Sequence, residues 1–221
     1  MANAESHRRV VIDIETTGLT PETDLILEVG AVIVDAQLRR VAHRSVLVTT
    51  DETIAWATGV SARHCHGQPV GAAEQMHLHN GLIAHLLRPV EFMAGPVGRV
   101  DPHRRIATSY ANASQWMCEF LDEHGVTAPV PLTGSSVRSL DGPFLEAHMP
   151  QLFSRFTHRT IDASALTELA HFIDPAGLDA VMAAIPTSGH RSIGDCLRSL
   201  AIIRRFALHY GIGNLTVDQD R

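Results

Sequence analysis

The chain has 221 residues, of which 45% are hydrophobic and 19% are charged, the composition of a globular protein with enough apolar mass for a core. This length fits one domain spanning residues 1–221, with room for insertions. The formal net charge of −6 excludes the broad basic surface of a protein that binds long nucleic acids, but it allows a local basic pocket for a short strand.

Cysteine content and hydropathy indicate where the protein works. Cys65, Cys118 and Cys196 are odd in number and far apart, which argues against a disulfide framework and predicts a reducing, cytoplasmic location. No apolar run approaches the roughly 18 residues needed to span a bilayer. The N-terminal residues lead into a strand pattern rather than the apolar core of a signal peptide, so we expect no membrane association.

Three apolar segments near the N-terminus predict β-strands, at residues 8–15, 25–35 and 38–48. The links between them are too short for helical crossovers, so we expect antiparallel pairing. Residues 51–88 then have a helical pattern that the segment 67–69 interrupts. The segment 88–107 contains three prolines and two glycines, which predicts a long loop or an insertion.

The C-terminal half alternates helices with short strands. The last helix, expected from Ser192 to Tyr210, has the clearest amphipathic pattern, and Ser192 with Asp195 fits a capping box. Three strands followed by this alternation predict an α/β fold with a mixed five-stranded sheet flanked by helices. The other expected elements are helices at 109–124, from 141 onward, at 163–173 and at 177–185, and strands at 130–133 and 159–162.

Two carboxylates, Asp13 and Glu15, stand at the end of the first predicted strand. Residues two apart in a strand point to the same face, roughly 6.5–7 Å apart, so two like charges share one face. A divalent cation would relieve their repulsion, because hard cations such as Mg²⁺ bind carboxylate oxygens. The segment alone equally allows a strand that simply ends in solvent.

Three later residues supply the rest of a hydrolytic centre. Asp141 follows a strand and a Gly-Ser-Ser loop, where α/β sheets place ligands, and His190 and Asp195 flank the start of the last helix. Four carboxylates can hold two Mg²⁺ or Mn²⁺ ions for phosphodiester hydrolysis, and a histidine can take a proton from water near neutral pH. Each residue also has a structural alternative: Asp141 as a helix N-cap, Asp195 as a first-turn acid, and His190 as an ordinary loop histidine.

These motifs resemble those of a known enzyme family. The segment Asp13-Ile-Glu-Thr-Thr-Gly-Leu19, Asp141 and the segment His190-Arg-Ser-Ile-Gly-Asp195 are similar to the three motifs of the Asp-Glu-Asp-Asp-His 3′→5′ exonucleases. The resemblance implies an RNase H-like fold and two divalent metal ions held by the four carboxylates. It also implies that His190 is the general base.

The resemblance extends over most of the chain to the oligoribonuclease branch of that family. By this resemblance, Leu19 contacts a base of the substrate, while His77, Ser136 and Arg159 cap the 5′-phosphate of a dinucleotide. It also implies a homodimer in which residue 158 of one subunit reaches toward the active site of the other. The similar segments are 76–82, 131–136, 144–152 and 158–169.

The chain departs from that branch at several positions that bear on substrate choice. His158 replaces the branch's tyrosine, Ala73 replaces its base-stacking tryptophan, and the interval 136–141 is one residue longer. Segments 57–72 and 88–107 are expected to be insertions. Stacking on an aromatic ring contributes about 1–3 kcal/mol per base, so the preference for dinucleotides is the property most affected.

The sequence therefore predicts a metal-dependent 3′→5′ exonuclease that hydrolyses short single-stranded RNA, with DNA left open, and releases nucleoside 5′-monophosphates. One alternative is a general or proofreading-type exonuclease that acts on longer RNA or single-stranded DNA. Another is a non-catalytic relative that binds nucleotides or a partner. A zinc site at the segment 64–66 (His-Cys-His) is a further alternative, although no second ligand pair follows at metal-binding spacing.

Overall fold

The computed structural model describes residues 8–95, 99–213 and 215. Residues 1–7, on which the expectation about a signal peptide rests, and residues 96–98 of the expected long loop lie outside this part of the chain. Among the described residues, no helix has both the length and the apolar character needed to cross a membrane.

Within the described residues, a six-stranded mixed sheet forms the centre of the fold and confirms the predicted α/β class. Its strands are β1 (Arg9–Thr16), β2 (Ile26–Val34), β3 (Arg40–Val48), β4 (Arg104–Ala107), β5 (Val130–Gly134) and β6 (Phe156–Asp162). The strand order is β4-β3-β2-β1-β5-β6. β2 pairs antiparallel with both β1 and β3, while the pairs β3–β4, β1–β5 and β5–β6 are parallel.

The prediction of five strands is wrong, because the segment 88–107, for which a long loop or an insertion is predicted, contains β4. β4 is only four residues long, which is too short for strand alternation to be recognised in the sequence. It forms by pairing with β3 at the edge of the sheet. The same segment also contains a short helix that begins at Pro89, a residue well suited to the first helical position.

Helices cover the sheet and most of them match the predicted segments. Side-chain oxygens of Thr50, Ser109, Asp162 and Asp174 cap four of these helices by accepting N–H groups of the first turn. In the described part of the chain the helices are α1 (Asp51–Cys65), α2 (Ala72–His79), α3 (Leu82–Leu87), α4 (Pro89–Phe92), α5 (Tyr110–Glu123), α6 (Asp141–His148), α7 (Pro150–Phe153), α8 (Ala163–Ile173), α9 (Pro175–Met182) and α10 (Ser192–His209).

The two faces of β1 pack against different helices. The even-numbered residues of the segment 10–14 belong to the larger core, which α5, α6 and α7 help to form. Val11 lies on the opposite face and packs with Cys196 of α10. Because residues of a strand alternate between faces, Asp13 and Glu15 share the face of Val11. α10 therefore lies over the face that carries the two carboxylates.

The predicted capping box at the start of α10 is wrong. Arg191 is the N-cap residue, and no side chain makes a capping hydrogen bond there. Ser192 is the first helical residue and is buried against β2 at Gly30, so its hydroxyl is not directed at the helix N–H groups. The carboxylate of Asp195 instead accepts a hydrogen bond from Ser188.

Candidate active site

Three carboxylates meet at the end of β1. Ligand oxygens of Asp13, Glu15 and Asp195 all lie within 4.8 Å of one another. Asp13 and Glu15 reach this point because they are two residues apart on one face of β1. Asp195 reaches it from the first turn of α10. The structure therefore brings these three predicted residues together.

Close packing of α10 on the sheet brings Asp195 to the other two carboxylates. Gly30 of β2 is the cross-strand partner of Asp13. A Cβ atom on residue 30 would lie 2.6 Å from the hydroxyl oxygen of Ser192, so only glycine allows this approach. The Cys196 thiol lies 3.5 Å from backbone carbonyl oxygens of β1 and β2, which places the helix directly against the strands.

Asp141, at the start of α6, is not a member of this group of three, but its carboxylate contacts β1 beside it. Its side chain does not cap that helix, whose N-cap is Leu140. Instead, Asp141 Oδ1 accepts the backbone N–H of Ile14 at 2.9 Å, which holds the carboxylate between the positions of Asp13 and Glu15 along β1. The alternative reading of Asp141 as an N-cap is therefore wrong, because the carboxylate is used by the neighbouring strand.

Burial and mutual repulsion make these carboxylates hard to ionise. Burial raises the pKa of Asp13 well above its usual range, and the carboxylates of Asp141 and Glu15 raise it further. Burial, followed by the charge of Glu28, raises the pKa of Glu15 to about 8. Burial also raises the pKa of Asp141 to about 7, against the lowering effect of the hydrogen bond from Ile14. A bound cation offsets the repulsion among the carboxylates of such a cluster and favours their ionised form.

The residues present fit a divalent metal. The group consists of oxygen ligands alone, which suits hard divalent cations better than zinc. Among the described residues, this is the only group of at least three potential metal ligands lying side by side. The segment 64–66 is not part of such a group, and Cys65 is exposed, so the zinc alternative receives no support.

Glu28 is a fifth acidic residue at the site that the sequence analysis missed. It is 2% exposed and pairs across the strands with Glu15. Ser45 donates a hydrogen bond to Glu28 Oε1 at 2.5 Å, and Arg191 Nε donates to Glu28 Oε2 at 2.8 Å. The sequence contains one signal for Glu28, which is a charged residue within the apolar run 25–35. Charged residues are rarely buried unless they are paired, so a partner for Glu28 was to be expected.

His190 lies at the exposed rim of the site, on the segment that leads into α10. Its backbone has φ 49°, in the left-handed region. Ser188 Oγ lies 3.3 Å from His190 Nδ1 and also donates to the carboxylate of Asp195 at 2.8 Å. His190 is therefore connected to a residue of the carboxylate cluster through a single hydroxyl group.

His77 is fully buried beside the carboxylates. Its Nε2 donates to the carbonyl oxygen of Thr16 at 2.8 Å, and its Nδ1 lies 3.9 Å from Glu15 Oε2 without a hydrogen-bond partner. Burial lowers the pKa of His77, so the ring is neutral near pH 7. The ring of Trp56 meets it edge-on at a centroid distance of 6.0 Å.

Leu19 projects from a tightly closed loop that follows β1. Its side chain is 78% exposed. Asp24 closes the loop by accepting hydrogen bonds from the Thr17 hydroxyl at 3.1 Å and from the Thr20 N–H at 2.9 Å. An apolar side chain is thus exposed to solvent four residues after Glu15, on a loop that hydrogen bonds to Asp24 close.

The remaining predicted substrate residues lie on and near the edge strand β6. Ser136 donates to the Ser164 hydroxyl at 3.1 Å, and its N–H donates to Asp162 Oδ1 at 3.0 Å. His158 and Arg159 are exposed on β6, between the residues that pair with Pro131 and Leu132 of β5. Pro131 lacks an N–H group, and the register shifts at this point.

The fold matches that of solved exonucleases. Exonuclease I from Methylocaldum szegediense superposes with a TM-score of 0.58 at 13% identity, covering 91% of this chain and 40% of that one. Exonuclease I of Escherichia coli in complex with a 5cy-dA13 oligonucleotide gives a TM-score of 0.55 at 11% identity, again covering 91% and 40%. This chain thus spans well under half of those proteins. These likenesses show the fold, which is of the RNase H-like class.

Sequence comparison identifies the family. A profile described as Exonuclease (RNase_T) matches residues 10–65. The oligoribonuclease of Thiobacillus denitrificans is 29% identical over 199 residues, covering 90% of this chain and 92% of the relative. That of Bordetella pertussis is 30% identical over 209 residues, covering 93% and 97%. The chain belongs to the oligoribonuclease family.

Proposed function

We propose that this protein is a divalent-metal-dependent 3′→5′ exonuclease that acts on short single-stranded RNA and releases nucleoside 5′-monophosphates. The observation that carries the proposal is the convergence of Asp13, Glu15 and Asp195 within 4.8 Å in a chain of the oligoribonuclease family. The relatives named oligoribonuclease match over at least 92% of their length, which supports short RNA as the substrate class.

We assign the carboxylates of Asp13, Glu15, Asp141 and Asp195 to two Mg²⁺ or Mn²⁺ ions. Two such ions, when bound, stabilise the attacking and leaving oxygens of an in-line displacement. The protein contributes the orientation of the ligands: the Ile14 N–H holds Asp141, and the Ser188 hydroxyl holds Asp195. Supporting hydrogen bonds of this kind fix metal ligands before binding.

His190 is the proposed general base. Its exposure at the rim of the site gives the ring access to water. In the proposed reaction, the imidazole accepts a proton from the attacking water. The water oxygen bonds to phosphorus as the bond between phosphorus and the 3′ oxygen of the preceding nucleotide breaks, and that 3′ oxygen takes a proton from solvent. The terminal nucleotide then leaves with its 5′-phosphate.

We assign substrate selection to residues around this centre. Leu19 is exposed on a closed loop, which suits contact with a base. Ser136 and Arg159 offer a hydroxyl and a guanidinium for the 5′-phosphate, and the exposed side chain of Arg159 can bind a phosphate through two N–H groups. His77 is the third residue assigned to this 5′-phosphate; its Nδ1 has no hydrogen-bond partner and lies 3.9 Å from Glu15 Oε2.

We propose that the protein is a homodimer that uses the side of the molecule formed by β6 and α8. β6 is an edge strand, and α8 follows it directly. The exposed face of α8 carries Leu169, Phe172 and Ile173, and the Phe172 side chain is 86% exposed. A cluster of exposed apolar residues of this kind marks an interaction surface. His158 on β6 would then lie near the subunit interface.

A cytoplasmic location and a single domain spanning residues 1–221 remain part of the proposal. Cys65, Cys118 and Cys196 are free thiols, as expected in a reducing compartment. Residues 57–65 of the first expected insertion extend α1, and the second expected insertion, 88–107, contains α4 and β4. That these segments are insertions remains a prediction.

The test is hydrolysis of 5′-labelled RNA and DNA strands of two to about twenty nucleotides with Mn²⁺. Asp13→Ala is expected to reduce hydrolysis to background while leaving the fold intact by circular dichroism, and the exposed Asp179→Asn on α9 serves as the control. Undiminished activity of Asp13→Ala would refute the metal assignment. Comparable rates on the shortest and longest strands would favour a general exonuclease.

A further inference from the structure

The segment 186–191 enters α10 through a strained backbone conformation. His190 has φ 49°, a value that residues with a Cβ atom rarely adopt. Conformations of this kind persist where the surrounding structure holds them, and they concentrate at functional sites. The contacts that hold the segment 186–191 therefore indicate how the imidazole ring of His190 is positioned.

Ser188 links the ring of His190 to Asp195. The Ser188 hydroxyl lies 2.8 Å and 3.0 Å from the two carboxylate oxygens of Asp195, which can only accept its proton. Ser188 Oγ also accepts the backbone N–H of His190 at 3.2 Å and lies 3.3 Å from His190 Nδ1. Because the only hydroxyl proton is directed to Asp195, Nδ1 carries the proton of the neutral ring. This tautomer leaves the lone pair on Nε2, the nitrogen free to act as a base.

Asn80 also holds the backbone of His190. It lies at the end of α2, where its Nδ2 donates to the carbonyl oxygen of His190. Its Oδ1 accepts the N–H of Leu82 in the first turn of α3 at 2.9 Å. The side-chain oxygen of Asn80 thus fixes the amide group to the start of α3, and its nitrogen holds the segment 186–191.

Arg191 fastens the same segment to the sheet. Its Nε donates to Glu28 Oε2 at 2.8 Å, and its Nη1 donates to His85 Nδ1 at 3.0 Å. Burial and the adjacent guanidinium lower the pKa of His85, so the ring is neutral and can accept this hydrogen bond. The guanidinium also lies 5.8 Å from the centroid of the Phe92 ring. Contacts to three separate elements leave Arg191 little freedom to move.

The buried carboxylate of Glu28 explains why the residue that holds this segment to the sheet, Arg191, is a cation. Glu28 and Glu15 are direct cross-strand partners, and like charges in such pairs destabilise a sheet. Arg191 supplies the opposite charge, and its side chain is only partly exposed. One guanidinium therefore balances a buried carboxylate beside the metal site and fixes the residue next to His190.

We propose that Ser188, Asn80 and Arg191 are positioning residues that set the orientation and tautomer of His190 for proton transfer. The inference rests on the proposed role of His190 as the base and adds the residues that prepare the ring for it. None of the three is assigned a contact with substrate. Ser188 also donates to Asp195. At saturating Mn²⁺ the metal would hold that carboxylate in its place, so under that condition the effect of each residue on kcat passes through His190 and should disappear when the imidazole is absent.

The test is a double-mutant cycle between Ser188→Ala and His190→Ala, with kcat and KM measured on a labelled RNA dinucleotide at saturating Mn²⁺. Ser188→Ala should lower kcat by about 10–100-fold and leave KM unchanged, as found when supporting groups of a catalytic site are removed. In the His190→Ala background, it should cause no further loss. Ser154→Ala is the matched control, because that exposed hydroxyl donates only to the local carbonyl of Gln151.

Arg191 is tested through the paired change Glu28→Gln with Arg191→Met, which removes both charges and leaves neither buried and unpaired. This variant and Asn80→Ala should each show the same loss of kcat and the same absence of further loss without the imidazole. Arg88→Met, which removes an arginine from an exposed pair with Glu91, is the control.

The outcomes separate the inference from the function on which it rests. Equal losses from Ser188→Ala with and without His190 would overturn the positioning role, as would an unchanged kcat in Ser188→Ala when His190→Ala is impaired. Full activity of His190→Ala would overturn the base role itself, and the positioning role with it. Loss confined to the wild-type background supports both.

Discussion

Gly30 of β2 and Ser192 of α10 are packed so closely that a Cβ atom on residue 30 would lie 2.6 Å from the Ser192 hydroxyl oxygen and 2.8 Å from its carbonyl carbon. This contact lies directly across the strand pair from Asp13. It sets the distance between the sheet and the helix that carries Asp195, so the geometry of the carboxylate cluster depends on the absence of a side chain at residue 30.

Gly30→Ala should therefore damage the metal site without touching a ligand. The added methyl group must push the first turn of α10 away from β2, and overpacking of this kind costs about 1–3 kcal/mol. We expect weaker Mn²⁺ binding by calorimetry, at least tenfold lower kcat/KM on short RNA, and a lower Tm. Gly59→Ala on α1 is the control, since its Cβ would meet no atom closer than 3.6 Å. Unchanged Mn²⁺ affinity in Gly30→Ala would contradict this account.

The metal-free protein should lose stability as the pH rises from about 4.5 to about 8. Glu15 has its pKa raised to about 8 in the folded state, so in this window the folded protein binds more protons than the unfolded chain. Stability is then greatest on the acidic side and falls until Glu15 ionises in the folded state. One pKa unit corresponds to about 1.4 kcal/mol, so the effect is on the order of several kcal/mol.

Thermal unfolding in EDTA and in Mn²⁺ measures this dependence. The gain in Tm on adding Mn²⁺ should be larger at pH 8 than at pH 5.5, because the cation offsets the repulsion among ionised carboxylates. Glu15→Gln lacks the titrating group and should lose less stability than the wild-type protein over the same range. A wild-type Tm in EDTA that falls no more steeply than that of Glu15→Gln would count against the raised pKa.

Phe172→Glu should convert a dimer into monomers. Burying a phenylalanine side chain contributes about 1.5–3 kcal/mol, and a two-fold interface would bury it twice. Sedimentation velocity at micromolar concentration gives the result. Val90→Glu is the matched control, since Val90 is 82% exposed on α4. A monomeric wild-type protein, or an unchanged dimer in Phe172→Glu, would show that the exposed face of α8 is not the interface.

Arg159→Met should weaken the preference for dinucleotides. Hydrogen bonds to charged groups contribute about 1.5–3 kcal/mol, so loss of a 5′-phosphate contact should lower kcat/KM on a dinucleotide by about 10–100-fold. Longer strands, whose 5′-phosphate lies beyond the cap, should be less affected. The comparison requires rates on a length series, with Arg88→Met as the control. An equal loss at every length would argue for a general role of Arg159 instead.

Local sequence patterns predicted much of the fold and the positions of the candidate site residues within it. The alternation of β1 places Asp13 and Glu15 on one face whatever the rest of the chain does, and the amphipathic pattern of α10 places Asp195 in its first turn. The predicted bounds of α8, 163–173, match the observed helix Ala163–Ile173, whose first turn is capped by Asp162 and whose end is followed by Pro175. These features depend on residues that are near one another in the chain.

The sequence by itself determined which residues are candidates for the chemistry, since the residue types and the short motifs around Asp13, Asp141 and His190 are local properties. Only the tertiary structure decided what surrounds them. Arg191 and Glu28 form a hydrogen bond although they are 163 positions apart in the chain, and so do Asn80 and His190, which are 110 positions apart. β4 forms because it pairs with β3. No periodicity records such pairings, because they depend on the path of the whole chain. For the same reason, the sequence predicts Ser192 to be a helix cap, whereas in the structure Ser192 packs against Gly30 of the sheet.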